Sequence, residues 1–151
     1  MHVATQFSIF LINKPGILAQ TLNALGAEKI NIVAMTMMDS VEHGVLRLVA
    51  AQTELARNVL AKLNVPANET DVLCVDLPNR AGAVAAVATH LAQAHININY
   101  AYVTSGGRGG RTTAVFKVAD INKAIKILEK TFATKTNSDK GAKKHPPANR
   151  H

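Results

Sequence analysis

The sequence predicts an α+β fold made of two tandem βαββαβ units, each an antiparallel sheet with two helices on one face. Three observations predict it. The chain aligns with itself without a gap at an offset of 66 residues, which pairs Leu11 with Leu77. Both repeats have the same order of apolar runs and amphipathic segments, and turn glycines recur at equivalent positions, such as Gly16 and Gly82. We call the N-terminal repeat copy one and the C-terminal repeat copy two.

The first strand and first helix of each copy follow from hydrophobic periodicity. Apolar runs at residues 7–12 and 72–77 are bounded by turn residues, which is typical of strands. Turn sequences follow at 13–16 and 79–82. Apolar side chains then recur at helical spacing, which predicts a helix with one buried face. The residues on this face are Ile17, Leu18, Thr21, Leu22 and Leu25 in copy one, and Val84, Val87, Ala88 and Leu91 in copy two.

A hairpin of two strands is predicted next in each copy. Its connection falls at Gly44 in copy one and at the glycine-rich residues 106–110 in copy two. The strands are expected at 30–38 and 45–51, and at 96–104 and 112–118.

A second helix and a fourth strand complete each copy, in the order of a split βαβ or ferredoxin-like unit. The fourth strands are expected at 65–69 and around 132–136, and the first of these can run straight into the strand at 71–77. The second helix is marked by Leu55, Val59, Leu60 and Leu63 in copy one, and by Ile121, Ala124, Ile125 and Leu128 in copy two.

Several predicted strands are apolar on both faces. In the first strand, Phe7, Ile9 and Leu11 alternate with Phe10 and Ile12. Helices cover one face of such a sheet, so the other face is expected to meet another sheet or another subunit. We therefore expect a homodimer, formed through sheet faces or strand edges.

Positive charge is concentrated at the C-terminal end. The chain has a net charge of +7, and the segment from Thr134 onward contributes +4, which leaves +3 for the rest. No Leu, Ile, Val or aromatic residue follows Phe132, so this segment cannot bury enough apolar surface to offset its ordering entropy. We expect domains at 1–69 and 70–134 and a flexible basic tail at 135–151, which is either a solubilising extension or a tether for an anionic partner.

Composition and motifs argue against several classes of protein. No apolar run reaches the roughly 18 residues of a membrane span, and no secretory leader is evident, so a soluble cytoplasmic protein is expected. The histidines do not cluster and Cys74 has no Cys-x-x-Cys partner, so no metal or other cofactor is expected. Cys74 is expected to be a small buried residue. No nucleophile–base pair is evident, which argues against an enzyme.

The glycine-rich segment at 105–111 has two alternatives to a hairpin loop. A phosphate-binding loop would end in Gly-Lys-Ser/Thr before a helix, and this segment does neither. RNA-binding sheets of this topology carry aromatic side chains on their central strands. Copy two offers Tyr100, Tyr102 and Phe116 there, whereas copy one has no aromatic residue in the equivalent strands. The hairpin loop is favoured, and nucleic-acid binding is not expected.

The strand–turn–helix–strand pattern resembles the ACT domain, a ligand-sensing module. The resemblance covers about residues 6–132. The layout of the chain is similar to that of stand-alone tandem ACT proteins of bacteria, in which no catalytic domain is attached. It implies a regulatory protein that binds a small molecule, and an amino acid is the ligand class that it favours. The motif is Asn13-Lys14-Pro15-Gly16-Ile17-Leu18 with Ile30-Asn31-Ile32 in copy one, and Asn79-Arg80-Ala81-Gly82-Ala83-Val84 with Ile96-Asn97-Ile98 in copy two.

The resemblance also implies a site at the first turn of each copy. In serine-sensing ACT domains, asparagines at the positions of Asn13 and Asn31 contact the ligand across a domain interface. The histidine that those domains place two residues before the first asparagine is Leu11 or Leu77 here, so serine itself is not implied. The candidate ligand-binding residues are Asn13, Lys14, Pro15, Gly16, Ile17, Leu18, Asn31, Asn79, Arg80, Gly82, Ala83 and Asn97.

The residue types at this site fit an amino acid. A glycine lets the backbone turn tightly, and the helix that starts there directs N–H groups and a partial positive charge at a carboxylate. Two structural alternatives stay open, because Asn13 and Asn79 can cap a helix or form an Asx-turn, and Asn31 and Asn97 can bond an adjacent loop. A functional alternative is a module that docks a separate enzyme or nucleic acid without sensing a ligand.

Overall fold

The computed structural model of the chain describes residues 1–38, 43–105 and 110–141. Within these ranges the elements of copy one recur in copy two, in the predicted order up to the second helix. They are β1 (His2–Ile12), α1 (Ile17–Ala27), β2 (Ile32–Met38), β3 (His43–Ala50), α2 (Thr53–Leu63), β4 (Ala67–Pro78), α3 (Ala83–Gln93), β5 (Ile98–Ser105), β6 (Arg111–Val118) and α4 (Ile121–Gly141). The β2–β3 and β5–β6 connections, where the glycine-rich segment falls, lie outside the described residues.

The strands form one antiparallel sheet in the order β2-β3-β1-β4-β6-β5. At its centre β1 pairs with β4, from Ile9 opposite Ala67 to His2 opposite Cys74. The fourth strand of copy one and the first strand of copy two are therefore the two ends of one continuous strand, β4.

The predicted fourth strand of copy two, around 132–136, is wrong. Those residues continue α4, because Phe132 packs against the core of copy two and extends the apolar face of the helix. The N-terminal end of β1 occupies the fourth-strand position instead. Ser8 pairs with Asn68 in copy one, and the equivalent pair in copy two is Cys74 with His2. Copy one thus completes its sheet with the N-terminal part of β4, and copy two completes its sheet with the N-terminal part of β1.

The four helices cover one face of the sheet in two separate cores. In copy one, α1 and α2 pack on Phe7, Ile9 and Leu46. In copy two, α3 and α4 pack on Leu73 and Phe116 and their neighbours. Leu55, predicted to lie on the buried face of α2, is 46% exposed, and Ala56 is buried in its place.

The face without helices is curved, and the edge strands β2 and β5 approach each other across it. The small apolar residues between them form a third core, which confirms that Cys74 is buried. This core contains Ala34, Val49, Val72, Cys74 and Val115. Part of the face that was expected to need a partner is therefore covered by the sheet's own curvature.

The edge strand β2 exposes a row of five large apolar side chains, more than any other described strand. They are Ile32, Val33, Met35, Met37 and Met38, each at least 36% exposed.

Candidate ligand-binding site

The turns after β1 and β4, which the sequence singles out, have the same backbone. Gly16 (φ 89°) and Gly82 (φ 82°) adopt the left-handed conformation that side chains disfavour, so a glycine is required at both positions. Before each glycine, a backbone bond tightens the turn. The Lys14 N–H donates to the Ile12 carbonyl (2.8 Å), and the Arg80 N–H donates to the Pro78 carbonyl (2.9 Å).

Glycine also begins the helix that follows each turn. The Gly16 carbonyl accepts from the Gln20 N–H, and the Gly82 carbonyl accepts from the Ala86 N–H, both at 2.9 Å. The N-cap residue of α1 and of α3 is the glycine itself, so no N-cap side chain bonds the start of either helix. The first N–H groups of each helix lack intrahelical acceptors and carry the positive end of the helix dipole.

A cavity lies beside each turn, and the two cavities are equivalent under the offset. The cavity of copy one has a volume of about 170 Å³ and is lined by Leu11, Ile12, Ile17 and Gln20 among others. The cavity of copy two has a volume of about 440 Å³. It is lined by Leu77, Pro78, Arg80, Ala81, Gly82, Ala83, Ala86 and Phe132. The larger volume follows from alanine at the positions of Ile17 and Gln20.

The candidate asparagines lie at different ends of the strands. Asn13 follows Ile12, which pairs with His43 at the start of β3. Asn31 lies beyond the other end of β3, where its N–H donates to Gln52 Oε1 (2.9 Å) and its carbonyl accepts from the Ala51 N–H (2.9 Å). The length of β3 puts roughly 20 Å between them. A ligand that touches both therefore requires a second chain, and Asn79 and Asn97 repeat this arrangement in copy two.

Each turn has a charged residue at its surface and a buried apolar residue at the floor of its cavity. Lys14 and Arg80 are exposed cations at the two turns, and Arg80 lines the cavity of copy two. Leu11 and Leu77 are buried beneath. Each turn thus combines a positive rim with an apolar floor, which suits an anionic group attached to an apolar body.

Sequence reasoning missed a polar network on the curved face. The Gln6 side chain is fully buried, its Nε2 donates to Tyr100 Oη (2.7 Å) and Ser8 Oγ (3.2 Å), and its Oε1 accepts from Tyr102 Oη (2.9 Å). Burial raises the pKa of Tyr102 well above its usual value. The signal was present as two polar residues, Gln6 and Ser8, that alternate with buried apolar residues in the middle of β1. Because Phe116 is buried on the opposite face, these aromatic residues form no common stacking platform.

Comparison with known proteins was made by family model, sequence and structure. A model of the ACT domain pair matches residues 1–139. No curated protein matches the sequence significantly. A crystal structure of a protein from Bacteroides thetaiotaomicron is similar, with 30% identity and a TM-score of 0.79 over 85% of this chain and 88% of that one.

Two enzyme-associated structures share the fold at lower identity. The regulatory subunit of aspartate kinase from Thermus thermophilus, in a ligand-free form, has 15% identity and a TM-score of 0.64 over 87% of this chain and 98% of that one. Aspartokinase III of E. coli, in complex with lysine and aspartate, has 18% identity and a TM-score of 0.55 over 89% of this chain and 31% of that one.

Proposed function

The chain belongs to the ACT domain pair family, and from that premise we propose that it is a non-catalytic regulatory protein that binds an amino acid at the turns after β1 and β4. The observation that carries the proposal is the pair of equivalent cavities, each beside a left-handed glycine at a helix N-terminus. The N–H groups of the helix would receive the ligand carboxylate, and the cavity would receive its side chain. Aspartokinase III of E. coli, which has this fold, was crystallised with lysine and aspartate.

The proposal includes a homodimer in the cytoplasm. A ligand that touches Asn13 and Asn31 needs a second chain, because the two lie at opposite ends of β3 in one chain. The exposed apolar row of β2 offers a surface for it, since apolar patches of this kind mark interaction sites. Light scattering should give twice the chain mass, and a monomer at high concentration would contradict this part of the proposal.

The experiment is a thermal-shift panel across the amino acids, followed by calorimetry. One or a few amino acids should raise the melting temperature, because a ligand that binds the folded state stabilises it. Changing Asn13 and Asn31 together to alanine should abolish binding with little change in the melting temperature of the free protein. Asn58→Ala, an exposed change on α2, is the matched control. Unchanged binding in the double variant would remove these residues from the site.

A second candidate function is favoured by the same exposed row of β2. An unpaired edge strand with apolar side chains can add a strand from a partner protein, as in peptide recognition by β-addition. A panel with no thermal shift would favour this docking module over ligand sensing.

A further inference from the structure

A separate cleft of about 450 Å³ opens on the curved face of the sheet, away from the two turns. It adjoins the polar network of Gln6, and its walls come from β1, β3, β4, β5 and β6. Two cations, Arg47 and Lys117, line it, and no carboxylate is among the described residues that do so. The cleft is therefore an open electropositive surface formed by one chain.

Arg47 is held in place but is not fully satisfied. Its guanidinium stacks on the ring of Tyr100, with Cζ 3.8 Å from the ring centre, and Nη1 donates to Met38 Sδ (2.9 Å). Nε is buried and has no hydrogen-bond partner among the described residues. A buried charged donor without an acceptor is unfavourable, so this nitrogen marks a place for an acceptor.

Lys117 and two hydroxyl groups add further donors. Lys117 Nζ uses one hydrogen on the Asp71 carbonyl (3.3 Å) and retains two others. The hydroxyl oxygens of Ser8 and Tyr100 both accept from Gln6, so the hydrogen of each hydroxyl is available to a ligand. Both residues line the cleft. The cleft thus has four donor groups, which are one guanidinium, one ammonium and two hydroxyls.

We propose that this cleft is a second ligand site, which binds a small organic anion through Arg47 and Lys117. The carboxylate or phosphate group of the ligand accepts from these cations and from the hydroxyl of Tyr100, and its apolar part lies against Phe10 and Val45, which also line the cleft. The site exists once per chain. At the positions equivalent to Arg47, Tyr100 and Lys117 the other copy has Thr113, Ala34 and Ala51.

The test is a titration of the full-length chain followed by amide NMR, with benzoate, inorganic phosphate and neutral benzamide as probes. Benzoate or phosphate should shift the amide signals of Ser8, Arg47 and Lys117, and benzamide should not. A response to benzoate alone identifies a carboxylate ligand, and a response to phosphate alone identifies a phosphate ligand. Lack of any response to both anions would overturn the proposal.

Two lysine variants separate specific binding from a general charge effect. Lys117→Met should weaken binding of the responding anion about tenfold, because one charge-assisted hydrogen bond is lost. Lys126→Met, an exposed change on α4 on the other side of the sheet, should leave it unchanged. Equal affinity in Lys117→Met and the unmodified chain would overturn the assignment. Shifts confined to the turns at 13–18 and 79–84 would support the amino-acid site and reject this one.

Discussion

The turns after β1 and β4 have the same backbone, but the cavities beside them measure about 170 Å³ and 440 Å³. Two substitutions on the first helical turn account for the difference, since Ile17 and Gln20 of copy one correspond to Ala83 and Ala86 of copy two. The glycine that fixes the turn is unchanged. The conformation of the turn and the volume of the cavity are therefore determined by different residues. A duplicated unit can keep the turn conformation while its cavity volume changes.

The curved face differs between the copies in a second way. Ser8, in the polar network of Gln6, corresponds to Cys74, in the third core. One half of the face is packed, and the other half is left open and polar.

The largest expected difference is in thiol reactivity. Burial raises the pKa of the Cys74 thiol to about 11, so at pH 8 about one thiol in a thousand is ionised. A Ser8→Cys, Cys74→Ala variant carries its thiol in the open cleft and should react with a disulfide reagent on the order of a hundredfold faster than the unmodified chain. Both chains should react equally fast in denaturant, and equal rates in the folded state would contradict the contrast.

The same thiol gives the protein a pH dependence. Its pKa is raised in the folded state, so the folded state favours the neutral thiol. The associated stability is fully present below pH 9, the usual pKa of the group, and is lost as the pH rises toward 11.

Deleting residues 2–5 should destabilise the sheet of copy two more than that of copy one. These residues pair with β4 between Asp71 and Cys74 and supply the fourth-strand position of copy two. Loss of these backbone bonds should lower the free energy of unfolding by about 2 kcal/mol, or about thirtyfold in the equilibrium constant. Hydrogen exchange should accelerate at 71–78 more than at 6–12. Deleting residues 142–151 is the control. Equal acceleration of hydrogen exchange in both copies would contradict the assignment of residues 2–5 to the sheet of copy two.

Exchanging the cavity residues between the copies should reduce the cavity volume in copy two and enlarge it in copy one. If the cavity of copy two holds the amino acid, Ala83→Ile with Ala86→Gln should fill it and weaken binding about tenfold. Ile17→Ala with Gln20→Ala is the reciprocal variant and should leave that affinity unchanged. The opposite result, by calorimetry, would assign the ligand to copy one.

The smallest effect is expected for Arg57, which binds Glu69 and Glu54 on the surface of copy one, with Nε 2.9 Å from Glu69 Oε2. Copy two has Lys123 and Lys135 in place of Arg57 and Glu69 and cannot form this pair. Arg57→Ala should change the melting temperature little, because the pair is exposed to water. Arg57 lowers the pKa of Glu69 below its usual 4.5, so any difference should vanish as the pH falls through that lowered pKa.

Much of the fold could be predicted because it depends on local patterns. The offset of 66 residues, the helical spacing after Gly16 and Gly82, and the apolar strands all reflect short-range periodicity. The run of β4 through Glu69 into Asp71 followed from the lack of turn residues between them. Comparison with the ACT domain pair confirmed the family that the turn motifs indicated.

What could not be predicted depends on long-range pairing. The residues at 132–136 resemble a strand only by analogy with copy one, and nothing local reveals that His2 occupies the fourth-strand position of copy two. The curved-face cleft was missed for the same reason. Tyr100 and Lys117 are paired across β5 and β6, but only the curvature of the sheet brings Arg47 of β3 to them. The ligand-binding residues at the turns stay a prediction.

The pairing of His2 with Cys74 joins residues 72 positions apart, so the start of β1 finds its partner only after a long stretch of chain has followed it. Copy one can form its helices and hairpin on the ribosome, but the N-terminal end of β1 waits until β4 has emerged. Contacts of such long sequence separation slow folding, because loop-closure entropy is lost before they form. During that interval a neighbouring nascent chain can supply the missing strand, which makes the start of β1 the place where two chains would first entangle.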